Sequence, residues 1–225
     1  MIGPMTTPAD LGGRCALVMG AGQPVAAAIA MGLAEAGADV AITSATADAE
    51  EAFELRRLAK RISATGQRSS IESVDMSIAT SVQVAVRKVA KELGRIDLLV
   101  VAADLRPEQR PAERISDADW ARVIGHNLSA MFYACRSVAR EMLRQEPAPD
   151  THRGQIIVLT VPAETFEAGT DAAYVAAKAG AAALVTALSR EWQPHRINVA
   201  AIEVSFTAEV GDAAAAVLRL AGRSA

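Results

Sequence analysis

The stretch CALVMGAGQPVAAAIAMGLAE, residues 15–35, shows how the first part of this chain is organised. It carries no charge before Glu35 and is long enough to imitate a membrane span. Gly20, Gly22 and Pro24 interrupt its middle, and these residue types favour a turn. The stretch is therefore predicted to form a buried strand, a glycine turn and a helix instead of a transmembrane segment.

Apolar runs of strand length alternate with periodic stretches of helix length along the rest of the chain. The predicted strands are Cys15–Met19, Val40–Thr43, Ser70–Val74, Leu98–Ala102, Ile156–Thr160 and Ile197–Ile202. The predicted helices are Ala26–Glu35, Ala49–Ile62, Val82–Leu93, Asp117–Leu143, Ala172–Glu191 and Asp212–Leu220. Such alternation is typical of right-handed βαβ units. It predicts an α/β fold, a Rossmann-like doubly wound parallel sheet of about six strands. A single domain over residues 14–225 would follow a flexible tail of residues 1–13.

Composition places the chain among globular proteins. Of its 225 residues, 51% are hydrophobic and 22% are charged, which excludes a disordered or collagen-like chain. The formal net charge of −3 gives no electrostatic footprint for nucleic acid or for an anionic membrane, so neither partner is expected. The three histidines show no ligand spacing, and no metal site is expected.

The two cysteines and the first thirteen residues indicate the cellular location of the protein. Cys15 and Cys135 lie far apart in apolar runs, as is typical of buried, reduced thiols in a cytosolic protein. The first thirteen residues lack a basic segment that leads into an apolar one, so no secretory signal is expected. These observations predict a cytoplasmic location.

The glycine turn after the first strand is the first candidate binding element. A turn between a strand and a helix can present backbone N–H groups and a helix N-terminus to a pyrophosphate. Gly20 permits a tight turn and Gly22 leaves room for close approach, but Pro24 has no N–H and Ala26 carries a methyl group. The turn predicts weak nucleotide binding, and a purely structural turn is the alternative.

The end of the second strand bears on cofactor choice. Residues 43–46 read Thr, Ser, Ala, Thr, with no acid to bind the adenosine ribose hydroxyls. Hydroxyl groups such as that of Ser44 can bond a 2′-phosphate, so the pattern leans to NADP over NAD. The alternative is that Thr46 caps the next helix.

Tyr174 and Lys178 form the main candidate catalytic pair. Their spacing of four residues places a phenol and an ammonium group on one face of a helix. A neighbouring cation would help a buried tyrosine to act as proton donor and acceptor. A solvated helix face is the alternative.

Four features occur in the order found in a known family. A glycine turn follows the first strand, Asp75 ends the third, Asn127 lies inside the long fourth helix, and Tyr174 with Lys178 follows the fifth strand. In this order the whole chain resembles the short-chain dehydrogenase/reductase family. The resemblance implies an oxidoreductase that transfers hydride between NADP(H) or NAD(H) and a small carbonyl or alcohol substrate.

The resemblance also implies a role for each matched residue. Tyr174 would act as general acid/base, Lys178 would hold the nicotinamide ribose and favour the tyrosinate, and Asn127 would anchor a proton-relay water. Asp75 and Met76 would contact the adenine. The full set expected at the cofactor is Gly20, Gly22, Gln23, Val25, Ser44, Asp75, Met76, Ala102 and Lys178.

Several positions depart from the family's pattern. Pro24 and Ala26 replace two glycines of the turn, and residues 101–104 read Val, Ala, Ala, Asp where the family has Asn, Asn, Ala, Gly. The catalytic serine falls on Val161. The adjacent Thr160 could replace it only if a bulge turned its side chain to the same face.

The C-terminal part is short. Val204 and Ser205 stand where the family has Pro-Gly, and Thr207 runs almost directly into the helix predicted from Asp212. The family's substrate lid and seventh strand are therefore expected to be missing. A pocket without a lid would exclude water less well.

Two functions from different classes follow from these matches and departures. The first is an oxidoreductase that uses Tyr174, Lys178 and Asn127 with a bound nicotinamide. The second is a catalytically impaired family member that acts as a binding or assembly partner. The retained residues favour the first, whereas Val161, Pro24 and the missing lid favour the second.

A homodimer is predicted through helices 117–143 and 172–191. The second of these helices is rich in small residues that permit close approach of another helix. The residues expected to form its small-residue surface are Ala173, Ala176, Ala177, Gly180, Ala181, Ala183, Leu184 and Ala187. The residues expected to add an apolar surface from the first helix are Met131, Phe132, Cys135 and Met142.

Overall fold

The fold is built on one sheet of six parallel strands. The structure is a computed structural model, and it describes residues 10–46, 48–146, 152–162, 166, 171–204 and 210–222. The strands are β1 Cys15–Met19, β2 Asp39–Thr43, β3 Ser69–Glu72, β4 Leu98–Val101, β5 Gly154–Thr160 and β6 Ile197–Glu203. Their order across the sheet is β3-β2-β1-β4-β5-β6, and every pairing is parallel. This order confirms the predicted doubly wound, Rossmann-like fold.

Helices cover both faces of the sheet. They are α1 Pro24–Glu35, α2 Ala49–Ala64, α3 Ala79–Leu93, α4 Asp117–Ile124, α5 Ala130–Arg144, α6 Ala172–Trp192 and α7 Val210–Gly222. The prediction of one continuous helix over 117–143 is wrong in one respect. A π-helical turn, Gly125–Ser129, separates α4 from α5, and the N–H of Ala130 bonds the carbonyl of Gly125 there.

Strand β1 is buried on both faces, which explains its uninterrupted apolar sequence. Leu17 and Met19 pack in the core shared with α3, α5 and α6. Ala16 and Val18 pack on the opposite face with α1, α2 and α7. A central strand of a doubly wound sheet must be apolar at every position, because it has no solvent face.

The predicted helix ends are largely confirmed. The Ser116 hydroxyl accepts a hydrogen bond from the Asp119 N–H at 3.1 Å at the start of α4. Gly37 and Gly94 follow α1 and α3 with φ of +97° and +89°, a conformation that favours glycine. Pro24 is the first residue of α1, where its missing N–H costs no intrahelical bond.

The packed region begins before the first strand. Leu11 is buried, and its N–H bonds the Ala36 carbonyl at 2.8 Å, so the packed region includes part of the segment predicted as a tail. Residues 1–9 of that segment, together with Ser205 and Thr207, lie outside the described residues.

Among the described helices, one is long and apolar enough to cross a membrane by length and composition alone. It is α6 with the turn after it, Ala172–His195. This helix packs on β5 and β6, and it buries the charged residue Lys178, which the core of a bilayer would disfavour. These contacts are those of a core helix in this fold.

Ser44 links the end of β2 to the segment after β3. Its hydroxyl donates to the Val74 carbonyl at 3.0 Å and accepts from the Val74 N–H at 2.8 Å, and the side chain is completely buried. The hydroxyl is therefore used within the fold, and its expected bond to a 2′-phosphate stays a prediction that would require release of the Val74 carbonyl.

We predict that Ser44→Ala lowers the free energy of unfolding by about 1–3 kcal/mol, because it leaves two buried backbone groups of Val74 unpaired. Chemical denaturation measures the change. Thr186→Ala is the control: its exposed hydroxyl bonds its own helix, and its loss should change stability by no more than about 0.5 kcal/mol. Equal stabilities for the two variants would contradict the prediction.

Candidate functional site

A first cavity lies at the carboxyl edge of the sheet, where doubly wound folds bind ligands. Its volume is about 570 Å³. The glycine turn, the loop after β4, the end of β5 and α6 all contribute to its wall. The lining residues include Gln23, Val25, Ala102, Asp104, Arg106, Thr160, Val161, Lys178 and Val204.

A second cavity of about 360 Å³ adjoins the first beside the glycine turn. The two share Gln23 and residues 103–105, so together they form one cleft across the top of the sheet. The second cavity is acidic, since Asp48, Glu50, Glu51 and Glu54 all line it.

Tyr174 and Lys178 project from the first turns of α6 and meet at one carboxylate. Asp171 begins this helix by accepting the N–H groups of Ala173 and Tyr174 at 3.0 and 3.2 Å. The Tyr174 hydroxyl donates to Asp104 Oδ1 at 2.8 Å, and Lys178 Nζ lies 2.7 Å from the same oxygen. The structure thus brings the predicted pair together, and it adds a third member that the sequence had not assigned a role.

Burial and charge control the protonation of this group of three. Burial raises the pKa of Tyr174 well above its usual range, and the neighbouring Asp104 carboxylate raises it further. Burial alone would raise the pKa of Asp104, but the Lys178 ammonium and the bonds from Lys178, Tyr174 and Arg106 hold it below its ordinary value. Burial lowers the pKa of Lys178, an effect that Asp104 opposes. Tyr174 is therefore a neutral phenol beside an ion pair.

Arg106 binds the other oxygen of the same carboxylate. Its Nε lies 2.9 Å from Asp104 Oδ2, and the Arg106 side chain is 59% exposed. Asp104 thus links the buried pair on α6 to an exposed cation at the mouth of the cleft.

Asn127 lies in the π-helical turn and fixes the loop that carries Asp104. Its Nδ2 donates to the carbonyls of Leu105 and Val123 at 2.9 and 3.0 Å, and its Oδ1 accepts the Leu105 N–H at 3.1 Å. Both amide hydrogens are therefore used within the fold. In this structure Asn127 positions the loop after β4, and its expected role with a relay water remains a prediction.

Glu51 lies over the glycine turn and was not predicted to be near it. A Cβ on Gly22 would overlap the Glu51 side chain. The Glu51 carboxylate accepts the N–H groups of Ala45 and Thr46 at 2.7 and 3.0 Å and the Thr46 hydroxyl at 2.8 Å. Asp48, and not Thr46, caps α2 by accepting the N–H groups of Glu50 and Glu51.

The glycine turn itself has the expected geometry. Gly20 has φ of +84°, and a Cβ there would lie 3.0 Å from the Ala103 nitrogen, so this position requires glycine. Gly22 lies at the second cavity, and Gln23 and Val25 lie at the first.

The remaining predicted residues are divided between the cleft and its surroundings. Ala102 lines the first cavity and the buried Met76 lines the second. Asp75 accepts the N–H of Ser77 at 2.9 Å and closes a local turn. Asp75 and Ser44 do not line either of these cavities.

Strand β5 ends at the position of the missing serine. Its ladder with β6 stays in register through Thr160, which pairs with Glu203, so no bulge is present in it. Both Thr160 and Val161 nonetheless line the first cavity, because Thr160 is the last residue of the strand.

The class of the protein follows from these features: it is a Rossmann-fold protein with a tyrosine–lysine pair at the cleft beside its glycine turn. The model of the family described as short chain dehydrogenase matches residues 14–215. The chain belongs to the short-chain dehydrogenase/reductase family of oxidoreductases.

Named relatives agree with this assignment. The chain is 33% identical to D-threitol dehydrogenase of Mycolicibacterium smegmatis over 84% of this chain and 68% of the relative. It is also 33% identical to 2-dehydro-3-deoxy-D-gluconate 5-dehydrogenase of Pseudoalteromonas atlantica, over 88% and 73% of the two chains. A metagenomic short-chain oxidoreductase solved with NADP superposes with a TM-score of 0.82 at 29% identity, covering 95% of this chain and 92% of that one. These comparisons give no support to the alternative of a non-catalytic partner.

Proposed function

We propose that this protein transfers hydride between a nicotinamide cofactor and a small carbonyl or alcohol, with Tyr174 handling the proton at the substrate oxygen. The observation that carries the proposal is the convergence of two buried side chains, the Tyr174 phenol and the Lys178 ammonium, at a cleft beside a glycine turn. The relatives are dehydrogenases and reductases, which supports the same reaction class.

The backbone conformation of the cleft and its cationic side chain Lys178 both suit a dinucleotide. The positive φ of Gly20 and the N-terminus of α1 form the kind of cradle that accepts a pyrophosphate, although Pro24 contributes no N–H. Lys178 is available to hold a ribose once its contact with Asp104 is released. When bound, the nicotinamide would supply or accept the hydride. The lost donor at Pro24 favours weak binding.

The side chains of this protein would orient the substrate and move one proton. The Tyr174 hydroxyl donates a proton to the carbonyl oxygen in reduction and receives it in oxidation. With Val161 at the serine position, Thr160 is the nearest hydroxyl in sequence that lines the cavity. Hydroxylated carbonyl compounds related to threitol and to keto sugar acids are the substrates to test first, since two relatives are named for such compounds.

We predict that Tyr174→Phe lowers the rate of carbonyl reduction by about 10²-fold or more, because it removes the proton donor. The rate is followed by the absorbance of reduced nicotinamide over a panel of hydroxyketones. Tyr133→Phe, which changes the other tyrosine of the chain, is the matched control and should retain activity. Undiminished activity in Tyr174→Phe would overturn the mechanism.

We propose NAD as the preferred cofactor, although the hydroxyl-rich sequence of residues 43–46, taken alone, favours NADP. The Glu51 carboxylate occupies the hydroxyl-rich turn by bonding Ala45 and Thr46, and three further acids line the same cavity. A 2′-phosphate there would face carboxylates, whereas a ribose diol could donate to one.

Glu51→Gln is expected to strengthen NADPH binding by about tenfold or more relative to NADH, because it removes the carboxylate nearest the turn. Calorimetric titration of both cofactors measures the ratio. Glu141→Gln, on the distant α5, removes one carboxylate without touching the cleft and should leave the ratio unchanged. An unchanged ratio in Glu51→Gln would show that Glu51 does not select the cofactor.

We also propose a cytoplasmic location and a homodimer. Both cysteines are buried free thiols, which supports a reducing compartment.

The apolar surface that α5 was expected to give to the dimer is wrong in three of its residues. Met131, Cys135 and Met142 are buried in this chain's own core, where α5 packs on the sheet. On α6, Ala173, Ala177 and Ala181 are likewise buried.

An exposed stripe of small residues on α6 remains to support the dimer. It consists of Ala172, Ala176, Ala179, Ala183 and Ala187. These residues recur every three to four positions and permit close approach of a second helix. Phe132 on α5 is partly exposed and could extend the apolar surface.

Light scattering at micromolar concentration is expected to give twice the chain mass of 23.5 kDa. Ala183→Glu should shift the protein to the monomer, because it places a charge in the stripe. Thr80→Glu, at an exposed position on α3, is the matched control and should leave the mass unchanged. A wild-type mass of one chain, or a stable tetramer, would refute the dimer.

A further inference from the structure

The Tyr174–Asp104–Lys178 contact uses the two groups that the proposed reaction needs. Asp104 Oδ1 accepts the Tyr174 hydroxyl at 2.8 Å and lies 2.7 Å from Lys178 Nζ. Tyr174 and Lys178 are 3% and 4% exposed, so neither side chain can turn to solvent for another partner. The chain itself thus occupies the point where a substrate oxygen or a ribose would bind this pair.

We propose that Asp104 is a positioning residue that holds Tyr174 and Lys178 in a resting arrangement. The Asp104 carboxylate must leave both groups before Tyr174 and Lys178 can act on substrate and cofactor. This release step rests on the proposed function, whereas the resting arrangement does not. Asp104 therefore limits the reaction, and its replacement by glycine, the residue of the family's pattern at this position, activates the site.

The charges around Tyr174 support this role for Asp104. The Lys178 ammonium lies 5.3 Å from the centre of the Tyr174 ring. Arg106, which bonds Asp104, also lowers the pKa of Tyr174 through its charge and a side-chain hydrogen bond, against the larger effects of burial and of Asp104. Asp171 bonds the backbone N–H of Tyr174, while Phe166 and Val123 contribute apolar contacts. Among these groups, Asp104 is the anion bonded to the hydroxyl.

An ionised Tyr174 would place two anions against one buried ammonium. Lys178 can neutralise only one of them, and the largely exposed Arg106 offsets the other only in part, so the carboxylate and the tyrosinate compete for the buried ammonium. Loss of the Asp104 charge would leave Lys178 to pair with the tyrosinate. The phenol form of Tyr174 therefore persists to higher pH while Asp104 is in place, since burial raises the pKa of Tyr174 most and Asp104 raises it further.

The surrounding contacts indicate how Asp104 is released. Asn127 bonds both the N–H and the carbonyl of Leu105, so the backbone beside Asp104 is held in place. Release then requires a change in the Asp104 side-chain torsions. Arg106, already bonded to Oδ2 and largely exposed, can keep the carboxylate at the mouth of the cleft after it leaves Tyr174.

Ionisation of Tyr174 tests the contact without any assay of activity. The chain has two tyrosines, so ¹³Cζ-labelled tyrosine gives two signals, which Tyr174→Phe assigns. Asp104→Asn keeps the shape and the hydrogen-bond acceptor but removes the charge. As the pH is raised to about 12, its Tyr174 signal should begin to move toward the tyrosinate position at lower pH than in the wild type, with about tenfold or more tyrosinate at a given pH.

Glu108→Gln is the matched control for the titration. It removes a 91% exposed carboxylate from the same loop and should leave the Tyr174 signal unchanged. Identical titration of Tyr174 in the wild type and in Asp104→Asn would overturn the proposal. An equal shift in Glu108→Gln would overturn it as well, because a general loss of charge would then be the cause.

Binding of NADH tests the second step. Asp104→Gly should bind NADH about tenfold more tightly than the wild type, because no internal carboxylate competes for Lys178. Measurable but unchanged affinity would overturn the release step. If neither protein binds NADH, the proposed function fails, and the tyrosine titration still supports or overturns the resting contact by itself.

Discussion

A buried ammonium group needs an anion, and this requirement organises the carboxyl edge of the fold. Lys178 is almost fully enclosed, and an unpaired charge at such a position is strongly destabilising. Its partner Asp104 comes from the loop after β4, which must therefore run beside the start of α6. Asn127 holds that loop from the π-helical turn. In this chain three distant segments thus meet at one buried ion pair.

The fold could be predicted from the sequence because its signal is local. Strands that are covered on both faces must be apolar throughout, and helices between them must repeat every three to four residues. In the described part of the chain, the six strands and the helical segments agree with these patterns, with ends displaced by a few residues. Strand β3, for example, ends at Glu72 instead of Val74, because Val74 bonds Ser44 and not the ladder. The π-helical turn adds one residue to a helix that is periodic on both sides of it, and this periodicity does not indicate where the wide turn lies.

The site could be predicted only in part because side-chain partners depend on tertiary contacts. Tyr174 and Lys178 lie on one helix, and their spacing alone brings them together. The position of Glu51 over Gly22 depends on how α2 packs beside the glycine turn, which periodicity does not report. An aspartate in place of a glycine at position 104 was visible in the sequence. Its contact with Tyr174, 70 residues away, was not.

The π-helical turn Gly125–Ser129 also determines how this region tolerates changes in length. Its hydrogen bond spans five residues, from Ala130 back to Gly125, whereas a bond in an α-helix spans four. The wide turn therefore holds one residue more than an α-helical turn, and α4 and α5 keep nearly the phase that they would have in a regular helix without that residue. Deletion of one residue within the turn is expected to restore regular α-helical bonding with little rotation of α5 relative to α4. It would remove or displace Asn127, which bonds Leu105 from this turn. The extra residue thus serves the loop after β4 more than the helix, and deletions in the turn should disturb that loop first.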